Sequence, residues 1–167
     1  MSKVLLHTCC GPCTAYTNKW LVENNFKVTG YFYNPNIFPA EEYERRKLAM
    51  GQYAAAVGFE AVYEANDLRT EPGSCKNCYQ VRLEKTARFA KESGSDYFST
   101  TLLISPYQKH ELLKQMGEEI GKKAGIEFFY HDFRTGFREG QQMAREMKLY
   151  RQKYCGCAKE AKHAQAD

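Results

Sequence analysis

All seven cysteines of this 167-residue chain fall into three tight groups, Cys9-Cys10-Gly11-Pro12-Cys13, Cys75-Lys76-Asn77-Cys78 and Cys155-Gly156-Cys157. Each group brings thiols within reach of one ion or cluster. Groups this far apart in sequence meet only if the fold is built around their meeting point, so the pattern reads first as metal ligation. An odd number of thiols is never fully consumed by internal disulfides. The only early apolar stretch, Val4-Leu5-Leu6, is far too short for the core of a secretion signal, and nothing approaches a membrane span. A reducing cytoplasm, where thiols stay free, is the expected compartment. A redox dithiol formed by Cys75 and Cys78 leaves five cysteines without a role. A structural zinc site with four thiolates stays open beside the stronger reading, an iron-sulfur cluster with or without a second metal.

The chain alternates β-like runs with helical patterns, which argues for βα units and a parallel sheet. Strands are expected at Lys3 to His7, Lys27 to Tyr33, Glu60 to Tyr63, Tyr97 to Leu102 and Ile126 to His131. Helices are expected at Thr14 to Asn25, Glu41 to Val57, about Asn77 to Glu92, Tyr107 to Ala124 and Gly140 to Tyr150. Ser105-Pro106 reads as a helix start, a capping hydroxyl followed by proline at the first helical position, and Gly125 reads as the end of the same helix. Arg45, Arg46 and Lys47 form a basic patch on the second helix. Five strands joined by right-handed crossovers make an α/β fold, a three-layer α/β/α sandwich with a mostly parallel sheet. With 43% hydrophobic residues and no low-complexity linker, residues 1 to 167 are expected to form a single domain, with a metal-binding tail from about 150 to 167.

In such sheets ligands bind beyond the carboxyl ends of the strands. Cys9, Cys10 and Cys13 follow the first strand, and Cys75 and Cys78 follow the third. Both groups open helices, where backbone N–H groups and the helix dipole favour thiolates and an anionic cluster. Cys155 and Cys157 reach the same edge if the tail folds back. The loop after the first strand has a single glycine and no lysine-bearing glycine-rich run, so nucleotide binding there has little support.

A 4Fe-4S cluster takes four thiolates, so seven divide naturally into four and three. Three cysteines with a carboxylate or water hold a second metal ion, and an exchangeable position makes that ion a Lewis acid. Asp132, at the end of the fifth strand, is the candidate carboxylate and candidate catalytic side chain. Its other reading is a turn cap or a partner of Arg134. The histidines His7, His110, His131 and His163 show no ligand spacing. His7 and His131 end strands on the proposed edge, where a structural role is the commoner one.

The segments His7-Thr8-Cys9-Cys10-Gly11-Pro12-Cys13, Gly73-Ser74-Cys75-Lys76-Asn77-Cys78, Thr100-Thr101-Leu102-Leu103-Ile104-Ser105-Pro106-Tyr107 and Tyr150-Arg151-Gln152-Lys153-Tyr154-Cys155-Gly156-Cys157 together resemble the QueH family of epoxyqueuosine reductases. The doubled cysteine before Gly-Pro-Cys and the Cys-Gly-Cys tail are the specific signals. The resemblance implies reduction of epoxyqueuosine to queuosine at the tRNA wobble position without cobalamin. It also implies a fold similar to PP-loop ATPases, with cysteines in place of the nucleotide loop.

The reaction needs two electrons, protons and activation of a C–O bond. A 4Fe-4S cluster beside a mononuclear iron, both held by the seven cysteines, matches that need. An electron donor and a tRNA carrying epoxyqueuosine are then the expected partners. The net charge of +4 is compatible with RNA, and the stretch from Lys122 to Lys153 is its most basic part. Arg134, Arg138 and Arg151 are the expected phosphate contacts, and Phe133, Phe137, Tyr150 and Tyr154 are aromatics that clamp an anticodon loop or fill the core. Two other readings of the same residues are a tRNA sulfur-transfer enzyme, disfavoured by the missing ATP loop, and a zinc-stabilised RNA-binding module.

Overall fold

The computed structural model describes residues 1–65 and 75–155; Cys157 lies outside them. The elements in chain order are β1 (Ser2–His7), α1 (Gly11–Glu23), β2 (Phe26–Phe32), α2 (Ala40–Val57), β3 (Ala61–Tyr63), α3 (Cys75–Glu92), β4 (Tyr97–Thr100), α4 (His110–Ala124), β5 (Glu127–Phe128) and α5 (Phe137–Glu146). Two short 3-10 turns, Thr101–Ile104 and Phe133–Gly136, follow β4 and precede α5.

The five strands form one parallel sheet in the order β3-β2-β1-β4-β5. The apolar run Val4-Leu5-Leu6 is buried on both faces, as a central parallel strand requires. Helix α1 packs against α2 and α5, while α3 pairs with α4, which gives the expected three layers. The chain winds outward from β1 through β2 to β3, crosses back by α3, and winds the other way through β4 to β5. The order therefore reverses at β1, and ligand sites of doubly wound sheets lie at such a reversal.

Helix α1 begins three residues earlier than expected and α5 runs from Phe137 to Glu146 instead of Gly140 to Tyr150; three further departures have local reasons. Strand β4 stops at Thr100, because the Thr100 hydroxyl accepts from the Leu102 backbone N–H and turns the chain into a 3-10 segment. Helix α4 begins at His110, with Lys109 as its N-cap. Ser105 does accept from a backbone N–H two residues on, that of Tyr107, but this closes a turn rather than opening a helix. Strand β5 keeps only Glu127 and Phe128. Beyond it Trp20 stacks on His131, with ring centroids 4.1 Å apart, and meets Phe133 edge-on at 5.4 Å. Phe129 still donates its N–H to the Phe98 carbonyl at 2.9 Å, and these rings pack the segment beyond it. Gly125, in the left-handed region at φ 74°, ends α4 as expected.

Candidate metal centre

The first cysteine group is set by the junction of β1 and α1. Cys10 is the N-cap of α1 with extended backbone, Pro12 falls in its first turn, and no acidic residue occupies that turn. Proline costs nothing there because its missing N–H has no intrahelical partner. The three sulfurs of Cys9, Cys10 and Cys13 lie within 4.8 Å of one another and all three residues are buried. The Cys9 and Cys10 sulfurs are 3.8 Å apart, and the Thr101 hydroxyl lies 3.3 Å from the Cys9 sulfur. That hydroxyl also accepts from the Cys9 backbone N–H at 3.2 Å.

Crowding separates the acidities of the three thiols. Hydrogen bonds from Cys10 and Cys13 hold Cys9 well below the usual thiol range, with the Thr101 hydroxyl adding to the effect. Burial pushes Cys10 upward. Hydrogen bonds to Cys10 and Cys9 push Cys13 upward, with burial adding to the effect. Crowding thus favours ionisation of Cys9 over that of its two neighbours. A metal ion is what lets all three ionise in so dry a place. Thiolates on one tetrahedral ion, with bonds of about 2.3 Å, stand about 3.8 Å apart; the Cys9–Cys10 pair has that spacing, and the Cys13 sulfur lies within 4.8 Å of both.

The floor beneath the triad is a closed network around His7, which is fully buried. Its Nε2 lies 3.1 Å from the Tyr33 carbonyl oxygen and 3.0 Å from Asn34 Oδ1, both acceptors, so this nitrogen carries the proton. Asn34 Nδ2 donates to the Thr8 carbonyl at 2.9 Å, which fixes the orientation of that amide. His7 Nδ1 then accepts from the Thr100 hydroxyl at 2.9 Å. Burial is the main reason that His7 is pushed down to about 4 and stays neutral, and the Arg82 guanidinium reinforces it. The network ties the ends of β1, β2 and β4 together two residues before Cys9.

The other groups converge on the same place. Cys75 opens α3 and Cys78 is buried one turn later. Cys9, Cys13, Cys75 and Cys155 line a single cavity of about 500 Å³, so at least one cysteine from each sequence group borders it. Gln152 also faces it. Its Nε2 lies 3.9 Å from the Cys13 sulfur, and its buried Oε1 has no hydrogen-bond partner among the described residues.

The tail that carries Cys155 is held by Arg46, one of the three residues of the basic patch on the second helix. Arg46 is not part of an exposed basic patch: it is fully buried. Its Nη1 donates to the Cys155 carbonyl at 2.8 Å and its Nη2 to the Tyr154 carbonyl at 2.6 Å. Its Nε pairs with Glu42 at 3.2 Å, one helical turn earlier, and the Tyr154 ring lies 5.2 Å from the guanidinium. The Tyr150 hydroxyl in turn donates to the Glu42 carboxylate. The only signal in the sequence was an i, i+4 Glu–Arg pair, which is usually an exposed feature.

Asp132 is neither in the three-thiol group nor among the residues lining the cavity. It caps the 3-10 turn that follows it, accepting from the Arg134 backbone N–H at 3.1 Å. Both its oxygens are gripped by the Arg134 guanidinium, at 2.8 and 2.7 Å. That grip holds its carboxyl well below the usual carboxylate range. Asp132 thus takes the cap-and-pair role that was its other reading, with one lone pair of each oxygen engaged by Arg134. Arg134 is correspondingly engaged, whereas Arg138 and Arg151 are exposed.

A family model described as epoxyqueuosine reductase QueH matches residues 4–162 of the chain. Among curated proteins, an epoxyqueuosine reductase QueH from Dehalococcoides mccartyi is 40% identical over 93% of this chain and 90% of its own length. One from Thermotoga maritima is 35% identical over 94% of this chain and 89% of its own. Among solved structures, a predicted subunit of a tRNA methyltransferase from Methanocaldococcus jannaschii superposes with a TM-score of 0.60 at 12% identity, over 87% of this chain and 75% of that one. The U34-tRNA thiolase NcsA from Methanococcus maripaludis, solved with its 4Fe-4S cluster, gives a TM-score of 0.56 at 15% identity, over 91% and 58%. At such identities the structural likeness concerns the fold.

Proposed function

This chain belongs to the epoxyqueuosine reductase QueH family of oxidoreductases, and from that premise we propose that it reduces the epoxide of epoxyqueuosine at the tRNA wobble position to the alkene of queuosine, with a 4Fe-4S cluster and a second iron held by its cysteines. Two electrons and two protons enter, both C–O bonds of the epoxide break, and the oxygen leaves as water. The observation that carries this reading is the convergence of three sequence-distant cysteine groups on one cavity.

The compact triad of Cys9, Cys10 and Cys13 suits the single ion, and the four remaining thiols, Cys75, Cys78, Cys155 and Cys157, make up the set that a cluster takes. When bound, the two groups supply electrons one at a time and a Lewis acid for the epoxide oxygen. The protein's own part is to bind and orient. The α1 N-terminus directs backbone N–H groups toward the anionic thiolates. Thr101 fixes Cys9, and the Gln152 amide stands over Cys13. Arg138 and Arg151 are the exposed cations assigned to the RNA backbone, in the cytoplasm where tRNA resides. An electron donor supplies the reducing equivalents.

The test is iron, zinc and acid-labile sulfide content of protein purified without oxygen, followed by an assay on RNA carrying epoxyqueuosine. About four sulfides and more than four irons per chain, with queuosine formed, is the expected result. Zinc without sulfide would sink the proposal.

A further inference from the structure

Part of the cavity wall contains no sulfur: Ser105, Tyr107, Gln108, Phe137 and Gln141 supply it. Tyr107 is 85% exposed, a large ring that the fold leaves uncovered at a cavity that cysteines also line. Its exposure is not that of a loose loop. The Ser105 hydroxyl accepts from the Tyr107 backbone N–H at 3.2 Å, and the Gln108 N–H reaches the Ser105 carbonyl at 3.5 Å. Pro106 sets the backbone one residue before the ring, at the position of a four-residue turn that proline prefers. Tyr79, buried on α3, pins the far side of the turn: its hydroxyl donates to Gln108 Oε1 at 2.6 Å and accepts from the Lys109 N–H at 3.0 Å. The Tyr107 ring meets Phe137 at 6.1 Å with the planes at 84°, a contact that orients the ring while most of its surface stays open.

A rigidly presented, uncovered aromatic face is what single-stranded nucleic acid recognition uses to hold an unstacked base. The surrounding amides suit the polar edge of a base. Tyr79 occupies the Gln108 oxygen, so that side chain offers its NH₂ donors, while Gln141 offers a donor and an acceptor. A cavity of about 500 Å³ is of the size that takes a nucleoside.

We propose that Tyr107 is the stacking platform for the substrate nucleobase, so that the base lies on the sulfur-free wall while its epoxide-bearing substituent reaches the thiol wall. The inference rests on the function proposed above and adds how the substrate is oriented within the site.

The experiment compares wild type, Tyr107→Ala and Tyr107→Phe, prepared without oxygen, on an anticodon stem-loop RNA bearing epoxyqueuosine. Binding of the same RNA is measured separately by fluorescence anisotropy. Stacking is made in both ground and transition states, so Tyr107→Ala should weaken RNA binding and raise KM by about 5- to 100-fold, with a smaller fall in kcat. Iron and sulfide contents should match wild type, and Tyr107→Phe should recover most of the affinity because the ring carries the interaction. A Kd for Tyr107→Ala within about twofold of wild type overturns the platform, as does a Tyr107→Phe variant as weak as the alanine one. Wild-type protein that binds this RNA without reducing it overturns the proposed reaction instead, and the anisotropy series still decides the role of Tyr107.

Discussion

The buried guanidinium of Arg46 donates to the backbone carbonyl of Cys155 at 2.8 Å, across more than a hundred residues of chain. A side chain on α2 thereby fixes the main chain of a cavity-lining cysteine. Lysine at this position keeps a charge for Glu42 but presents one ammonium where a planar fork bridges two carbonyls. Arg46→Lys should leave the sheet folded and release the tail. In metal-free protein, alkylation of Cys155 followed by mass spectrometry should quicken by about tenfold, the equivalent of roughly 1.4 kcal/mol of lost docking.

The division of the thiols makes opposite forecasts for two buried cysteines. Cys10→Ser, within the triad, should remove about one iron and leave the sulfide near four per chain, whereas Cys78→Ser should lose most of the sulfide. Equal loss of both elements in the two variants would contradict a separate single-ion site.

Acid should weaken the metal-free protein through His7. Its ordinary value is 6.5, and burial lowers it to about 4 in the fold. Between those values the unfolded chain takes up a proton that the folded chain refuses. The stabilising contribution is complete above pH 6.5 and is withdrawn as pH falls toward 4, by up to about 3 kcal/mol. His131, also lowered chiefly by burial, acts in the same direction. Urea midpoints measured across this window should drop with acidification, and His7→Gln should flatten the dependence.

Gly11, between the doubled cysteine and Pro12, lies against the backbone of α2. A Cβ there would come within 2.9 Å of the Ala49 carbonyl oxygen and 3.2 Å of its carbon. Neither atom belongs to a flexible side chain, so the helices must part. Gly11→Ala should cost about 1–3 kcal/mol in chemical denaturation and loosen the triad, seen as reduced iron retention.

Local pattern located the five strands and five helices: an unbroken apolar run, Val4-Leu5-Leu6, marks the doubly buried β1, and a buried face repeats along α3 at Leu83, Ala87 and Ala90. The meeting of the thiol groups was legible for the same reason, since β1 and β3 end on one edge of the sheet. What local pattern could not convey was partnership across distance. Arg46 reads as a surface cation until the tail lies over it. Ser105-Pro106 reads as a helix start until Tyr79 captures Gln108 and Lys109 into a turn. Asp132 reads equally as ligand or cap, and only the position of the Arg134 side chain separates the two.

The lengths of the strands imply an order of yielding. The sheet ends in a three-residue β3 on one side and a two-residue β5 on the other, while six-residue β1 is hydrogen-bonded along both flanks. Partial opening therefore starts at the margins, and amides beneath the doubled cysteine should be the slowest in the molecule to exchange with solvent. Heat or mild denaturant strips away the borders of this protein first, and its sulfur triad is moored to the last part of the fold to let go.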